Sequence, residues 1–383
     1  LEFAIAKQVL ADELGKLQSV VPDKPVIAAL GLIKVESTED GGIKLTASNM
    51  ESTIYSTVVS KLLAVSEPGA MCLPAKRLID IVRLMQDGPI KISSDANDWI
   101  KIIAKGSSQR LPGTPASAYP DLPTFENLQW VDIPASHLKN MLPAVKYAIT
   151  ADEKRMNIRG AKLEVDSENS QVRVITTDGH RLSLSSGPLE GLVPQDFEVL
   201  IPIETIEELI KLLGDQSEGL VGVATNVNSL FFRVGNRILS TRLIAGKFPS
   251  YQKPFAELGT YEHFANFKAD ELTRRIRMAL LFSQESSDKE KKAHAGVSLE
   301  FDQKYIQIKA QSPDLGETNE VLDSDYNGPP LTIFCNGKYL LDFLKPVGSG
   351  TVKFEVKSAL NQMYLTGERD GIMFYYCLMP MRG

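Results

Sequence analysis

The chain has 383 residues, 43% of them apolar, with a formal net charge of −6. That length suits two or three domains with ordinary cores and excludes a disordered protein, while the acidic balance argues against polyanion binding by the whole surface and leaves room for a local basic face. Cys72, Cys335 and Cys377 are far apart and odd in number, which excludes a disulfide framework and fits a reducing compartment; no Cys/His cluster has zinc spacing, and no uncharged run reaches the roughly 18 residues of a membrane span.

The opening residues, LEFAIAKQVLADELGKL, read as a strand leading into an amphipathic helix and not as a signal peptide, with Leu10, Leu14, Leu17 and Val21 on one face. Gly31–Glu51 then spells a strand, a polar turn, a second strand and a short polar loop. Pro74–Met85 (PAKRLIDIVRLM) predicts a helix striped by Leu78, Ile81, Val82 and Met85. Pro74 suits a first helical turn, where no amide donor is needed. A strand pair, IKISS with WIKIIAK, closes this unit.

The same grammar returns twice. Leu138, Met141, Leu142, Val145 and Ile149 stripe a second opening helix, Gly160–Arg181 repeats the hairpin, and Pro202–Leu213 repeats the helix with Ile206, Leu209, Ile210 and Leu213. In the last third the opening stripe is Leu272, Ile276, Ala279 and Leu280, the hairpin is Gly296–Asp314, and Asn336–Leu344 carries Leu340, Leu341 and Leu344. LVGVAT with LFFRVG, and VKFEVK with MYLTGE, supply the closing strand pairs. The hairpins start at Gly31, Gly160 and Gly296, which is 129 and then 136 residues apart. Pro120 in YPDLP and Pro249 in FPSYQKP, also 129 apart, mark linkers. The pattern predicts three tandem copies of one α+β domain with two helices and antiparallel sheets, at 1–125, 126–255 and 256–383. Each copy is expected to run βαβββαβββ, with the charged run Ser286–Lys292 an insertion peculiar to the third.

Residues with catalytic chemistry are sparse. Asp178 and His180 in TDGHR are types that work as acid and base, so a hydrolase is one reading. Against it, Ser183 and Ser185 lie in an alternating strand with no nucleophile elbow, and no phosphate-cradling glycine loop or paired carboxylate cluster is present. We expect no catalytic residue, no metal and no cofactor.

With three such units, TDGHRL (Thr177–Leu182), FPSY and LMPMR (Leu378–Arg382), the chain resembles the bacterial sliding clamps, the beta subunits of DNA polymerase III, over essentially all its length. The resemblance implies a head-to-tail homodimer whose six domains close a ring, with helices lining the hole. Double-stranded DNA would be held topologically and without sequence preference. DNA polymerases and the clamp loader would dock through short peptide motifs, in the cytoplasm and away from any membrane. A ring that holds by closure needs weak, sequence-blind phosphate contact. The basic residues expected to face DNA are Lys24, Lys76, Arg77 and Arg83 in the first copy. Lys139 and Lys146 serve the second, and Arg274, Arg277 and Lys338 the third. Helix Pro202–Leu213 departs from this pattern, with Glu204, Glu207 and Glu208 against Lys211.

For the partner-peptide pocket, the resemblance carries over Thr177, Gly179, His180, Arg181 and Leu182, then Pro249 and Lys253. It carries over Leu378, Met379, Pro380, Met381 and Arg382 from the chain end, and places Arg155, Ile158, Asn336 and Tyr339 beside them. Methionines beside leucine and proline make an adaptable apolar groove, and Arg155, Arg181 and Arg382 are expected to anchor peptide carbonyls or carboxylates. For ring closure it implies an edge strand with Lys105, Gln109, Arg110 and Leu111, facing Leu280, Leu281, Asp314, Glu317 and Glu320 of a second copy. A specialised paralogue serving repair, plasmid replication or drug resistance, and a scaffold indifferent to DNA, share this same pattern.

Overall fold

The computed structural model describes residues 1–95, 97–189, 196–214, 218–244, 246–283 and 296–381. The run Ser286–Lys292 and Arg382 lie outside the described residues.

Two-residue alternation writes the strands and the 3.6-residue stripes write the helices. The first third runs β1 (Glu2–Ala6), α1 (Lys7–Leu17), β2 (Leu32–Ser37), β3 (Ile43–Ser48), β4 (Ser52–Val58), β5 (Leu63–Glu67), β6 (Ala70–Pro74), α2 (Ala75–Leu84), β7 (Pro89–Ser94), β8 (Trp99–Ala104), β9 (Ser107–Pro112) and β10 (Thr114–Pro115). The middle third runs β11 (Val131–Pro134), α3 (Ala135–Lys146), β12 (Gly160–Asp166), β13 (Gln171–Thr177), β14 (Arg181–Pro188), β15 (Phe197–Pro202), α4 (Ile203–Leu213), β16 (Leu220–Thr225), β17 (Ser229–Val234) and β18 (Arg237–Arg242). After a short α5 (Gln252–Phe255) come β19 (His263–Lys268), α6 (Ala269–Leu280), β20 (Gly296–Phe301), β21 (Tyr305–Ser312), β22 (Gly316–Asp323), β23 (Leu331–Asn336), α7 (Gly337–Val347), β24 (Thr351–Val356), β25 (Met363–Arg369) and β26 (Ile372–Leu378).

The expected βαβββαβββ order is short of strands. A further strand, β6, β15 or β23, runs directly into the second helix of each third, and the first third adds β5 and the two-residue β10. AMCLP, FEVLIP and LTIFCN are brief apolar runs that look like lead-ins to the helix, so periodicity alone does not separate them from it. Pro74 and Pro202 therefore end strands, and the helices begin one residue later.

The chain gathers into two compact units, Leu1–Ala135 with Glu207–Leu243, and Ser136–Ile206 with Ile244–Gly383. The first unit holds a five-stranded sheet ordered β5-β1-β7-β8-β9 and a nine-stranded sheet ordered β10-β6-β2-β3-β4-β18-β17-β16-β11. The second holds an eight-stranded sheet ordered β15-β12-β13-β14-β26-β25-β24-β19 and a four-stranded sheet ordered β22-β21-β20-β23. The ladders are antiparallel.

Two of these ladders carry a sheet from one repeat into the next, which is why the unit boundary cuts through the middle third. β4 pairs with β18 (Thr53 opposite Ser240), and β14 pairs with β26 (Leu182 opposite Cys377). In both, the third strand after an opening helix meets the third strand after the second helix of the following repeat. The remaining strands of these two kinds are β22 and β9, and each lies at the edge of its sheet.

Cores form under the helices. In the first unit α1 buries Leu10, Leu14 and Leu17, and α2 buries Ala75, Leu78, Ile79 and Val82. In the second, α6 buries Leu272, Ile276 and Ala279, while α7 buries Leu340, Phe343, Leu344 and Val347. Ile81, Leu280 and Leu341 of the expected stripes are only half-buried, because neighbouring helices pack side by side and turn the buried face toward Ile79 and Phe343.

Candidate functional site

The β13–β14 turn is built from its own side chains. Thr177 Oγ1 accepts from the Gly179 N–H (3.0 Å) and donates to the Arg181 carbonyl (2.7 Å). Asp178 Oδ1 accepts from the His180 and Arg181 N–H groups at 2.9 and 3.1 Å, the bonding of an Asx turn. Gly179 has φ +91°, a backbone that favours glycine, and the Arg155 guanidinium lies against it, 3.0 Å from where a Cβ would stand. Arg155, itself exposed, donates Nη1 to the Asp178 carbonyl at 2.8 Å.

Arg181 is buried beneath this turn. Nε reaches Asp178 Oδ2 (2.9 Å), Nη1 reaches Asp342 Oδ2 on α7 (2.6 Å), and Nη2 reaches the Tyr147 carbonyl (2.5 Å). The guanidinium lies over the rings of Tyr339 (3.8 Å) and Tyr147 (5.1 Å). Burial alone disfavours its charge, but Tyr376, Asp342 and Asp178 more than offset that and raise its pKa. Its nitrogens are all engaged within the chain. Arg181 thus ties the turn to α7 and backs the residues that face outward.

Leu182 turns to the other side, into a cluster with Ile175, Leu184, Tyr251, Tyr261, Tyr364 and Cys377. Phe248 and Phe255 pack against the cluster, so the FPSY linker and the β14–β26 ladder share one wall. Tyr251 donates to Glu164 and Tyr364 to the Pro254 carbonyl, which pins that linker. Burial pushes the Cys377 thiol up to about 12. The chain end closes the other side: Met379 N–H donates to the His180 carbonyl (3.1 Å) and Met381 N–H to the Phe334 carbonyl (2.7 Å).

The expected pocket residues thus fall into two groups. Arg155, Gly179, His180, Pro249, Lys253 and Met379, the last 48% exposed, present themselves to solvent, with Pro380 and Met381 half-buried beside them. Ile158, Thr177, Arg181, Leu182 and Leu378 are buried supports. Asn336 caps α7 by accepting from the Lys338 and Tyr339 N–H groups (3.0 and 3.4 Å), and Tyr339 is half-buried against Arg181. Sequence reasoning missed Tyr147 and Asp342, the other partners of Arg181; Asp342 is 161 residues away and no local signal marks it.

The basic residues lie where helices expose them. On α2, Lys76 pairs with Asp23 (2.8 Å), Arg83 donates to Gln18 Oε1 (2.6 Å), and Arg77 is exposed; Lys24 is exposed in the loop after α1. In the second unit Lys139 and Lys146 are half-buried on α3, while Arg274, Arg277 and Lys338 are exposed on α6 and α7. On α4, Lys211 is held by Glu208 (2.8 Å).

At the free edges, Lys105 is exposed in the β8–β9 turn and Gln109 donates to Ser107 Oγ (2.6 Å). Arg110 pairs with Asp95 (2.8 Å) over the Trp99 ring. Leu111, 6% exposed, faces its own core, because β9 alternates and its apolar side turns onto the sheet's packed face; only its backbone lies on the edge. Leu281 is 67% exposed and Leu280 half-buried. On and before β22, Asp314 and Glu317 are exposed and Glu320 pairs with Arg275 (2.9 Å). Val321 and Leu315 are exposed there too; alternation in GETNEVLD puts Val321 on the face of Glu317, a signal that sequence reasoning passed over.

Among the described residues no group of His, Cys, Asp and Glu is arranged to hold a metal, and no helix is long and apolar enough to cross a membrane.

The chain is 26% identical over 384 residues to the beta sliding clamp of Chlamydia pneumoniae, covering 100% of this chain and 99% of that protein. It is 26% identical over 391 residues to the beta sliding clamp of Bacillus subtilis, covering all of both. Among solved structures, the beta subunit from the DNA polymerase of Streptococcus pyogenes superposes with a TM-score of 0.90 at 26% identity over the whole of both chains. A sliding clamp from Pseudomonas aeruginosa bound to griselimycin shares the fold, with a TM-score of 0.89 at 24% identity over 100% of this chain and 99% of that one. Models of the N-terminal, central and C-terminal domains of the DNA polymerase III beta subunit match residues 1–123, 132–250 and 261–382 in order, and the chain belongs to that family.

Proposed function

We propose that this chain is a DNA sliding clamp, a non-enzymatic processivity factor. Two copies close head to tail into a ring around duplex DNA, and the ring tethers DNA polymerases and its loader in the cytoplasm. The observation that carries this reading is the pair of leftover strands. β4–β18 and β14–β26 repeat one kind of junction, and the same junction made once more joins β22 of one copy to β9 of another. Complementary, different edges on one chain give a heterologous contact, which closes when the rotation per step allows. Three domains per chain, 1–125, 126–255 and 256–383, then make six per ring.

Partners dock at the Gly179 junction through short extended peptides. An aliphatic peptide side chain enters beside Met379 and Pro249, while Arg155, His180 and Lys253 meet its polar groups. The hydrolase reading loses its acid: Asp178 already accepts from two backbone amides and from Arg181.

Retention on DNA tests the proposal. Loaded protein should stay on a closed circular duplex through a high-salt wash and leave when the circle is cut once, because linkage is insensitive to salt whereas phosphate adhesion is not. Equal retention on circular and linear duplex would overturn it.

A further inference from the structure

We infer that the β4–β18 junction carries a second peptide-docking groove, one that takes a short extended peptide with an aliphatic side chain beside a basic one. This rests on the reading of the Gly179 junction as a peptide pocket and adds a site of different preference.

The turn between β3 and β4 copies the β13–β14 turn bond for bond. Ser48 Oγ accepts from the Met50 N–H (3.0 Å) as Thr177 Oγ1 accepts from Gly179. Asn49 Oδ1 accepts from the Glu51 and Ser52 N–H groups (3.0 and 2.7 Å) as Asp178 accepts from His180 and Arg181. Met50 thus stands where the later turn has Gly179, 129 residues on, and it keeps the left-handed backbone at φ +72°. A methionine is strained in that conformation and nothing in the turn itself requires a side chain there. Its side chain is 38% exposed at a groove of about 560 Å³, running between the Pro120 linker and the ends of β4 and β18.

The lining says what would enter. Met50, Leu122 and Val227, the last 92% exposed, offer aliphatic contact. The exposed carboxylates of Glu51 and Asp121 outnumber the single guanidinium of Arg242, so the groove favours a cationic ligand. Thr53 takes the place that Leu182 has in the later junction, and Ser240 lies opposite it. A hydroxyl-lined floor in place of a tyrosine-lined one selects against the peptides that fill the Gly179 pocket, so the two junctions discriminate.

The test uses the full-length chain and a capped, fluorescein-labelled hexapeptide with one leucine between two arginines, followed by anisotropy. We expect saturable binding that weakens about tenfold or more in Glu51→Lys with Asp121→Lys, as for loss of paired charges. Met50→Gly, which relieves the backbone and removes the side-chain contact, should weaken binding about threefold without lowering the melting temperature. Leu182→Ala should leave this peptide's affinity intact. Absence of binding to about 1 mM, indifference to the double charge reversal, or loss on Leu182→Ala would each overturn the inference. A failure here, with an apolar partner peptide still lost on Met379→Ala, removes this groove and leaves the Gly179 pocket standing.

Discussion

Arg181 on β14 and Asp342 on α7 meet at 2.6 Å, joining a turn to a helix 161 residues further along the chain. A buried arginine does the same work in the first unit. There Arg237 on β18 holds Asp12 (2.9 Å) and both oxygens of Glu13 (2.8 Å each) on α1, and Ser56 and Asn236 complete the set around Glu13. Each repeat-to-repeat ladder is thus backed by one arginine and two carboxylates. Such groups contribute little as a pair but are costly to break singly, because Asp178 or Glu13, left behind, stays largely buried and charged, while Asp342 and Asp12 reach solvent.

Arg181→Met and Arg237→Met should each lower stability by about 3–5 kcal/mol, read from the denaturant midpoint. An unchanged midpoint in Arg181→Met, with peptide binding lost, would make Arg181 a peptide anchor after all.

Leu182 and Met379 should separate support from contact. Leu182→Ala opens a cavity in the tyrosine-lined cluster and should cost about 2–4 kcal/mol of stability as well as weakening partner peptides. Met379→Ala removes an exposed side chain and should weaken peptide binding by about 1–3 kcal/mol while leaving the melting curve in place. Calorimetric titration of both variants, beside their melts, checks the split.

The free edge of β9 has a readable hydrogen-bond phase. Ala104 and Ser107 flank a two-residue turn and exchange both their bonds, so the amides of Ser108 and Arg110 point away from β8. Ser108→Pro removes an outward donor without touching the inner ladder. Sedimentation of this variant should show monomer at concentrations where the parent is dimeric, with unchanged helix and strand content.

Buried thiols set an alkaline limit. Burial pushes Cys72 up to about 11 and Cys377 up to about 12, and raises Cys335 as well. An unfolded thiol titrates near about 8.5. Above that pH the unfolded chain binds fewer protons than the folded one, so stability falls as pH rises. It is fully present below about 8.5 and is lost progressively through the folded values. Melting temperatures should be level near neutrality and drop above about pH 9. At pH 8 a thiol reagent should find none of the three cysteines until the chain is unfolded.

The triplication was legible in sequence because hairpins, stripes and linker prolines recur at nearly fixed intervals, and local patterns report local structure. TDGHRL was picked out by resemblance, and its short polar residues form the β13–β14 turn. What Arg181 does there was not legible: an arginine in a polar turn reads as surface, and Asp342 and Tyr147 come to it only through the fold. The strands before the second helices were missed because AMCLP and FEVLIP are too short to show a period. Resemblance placed Leu111 on the edge strand, and alternation along β9 turns its side chain inward while its backbone stays on the edge.

The two edge strands β22 and β9 also differ in sign. β22 carries Glu317, Glu320 and Asp323, whereas β9 with its turn carries Lys105 and Arg110. Laid against a copy of itself, either strand would set like charges side by side, which destabilises a ladder. Only the crossed match brings opposite charges together. Face-to-face pairing of identical edges, the usual hazard of an uncovered strand, is thereby discouraged, and the charges favour the crossed match proposed above.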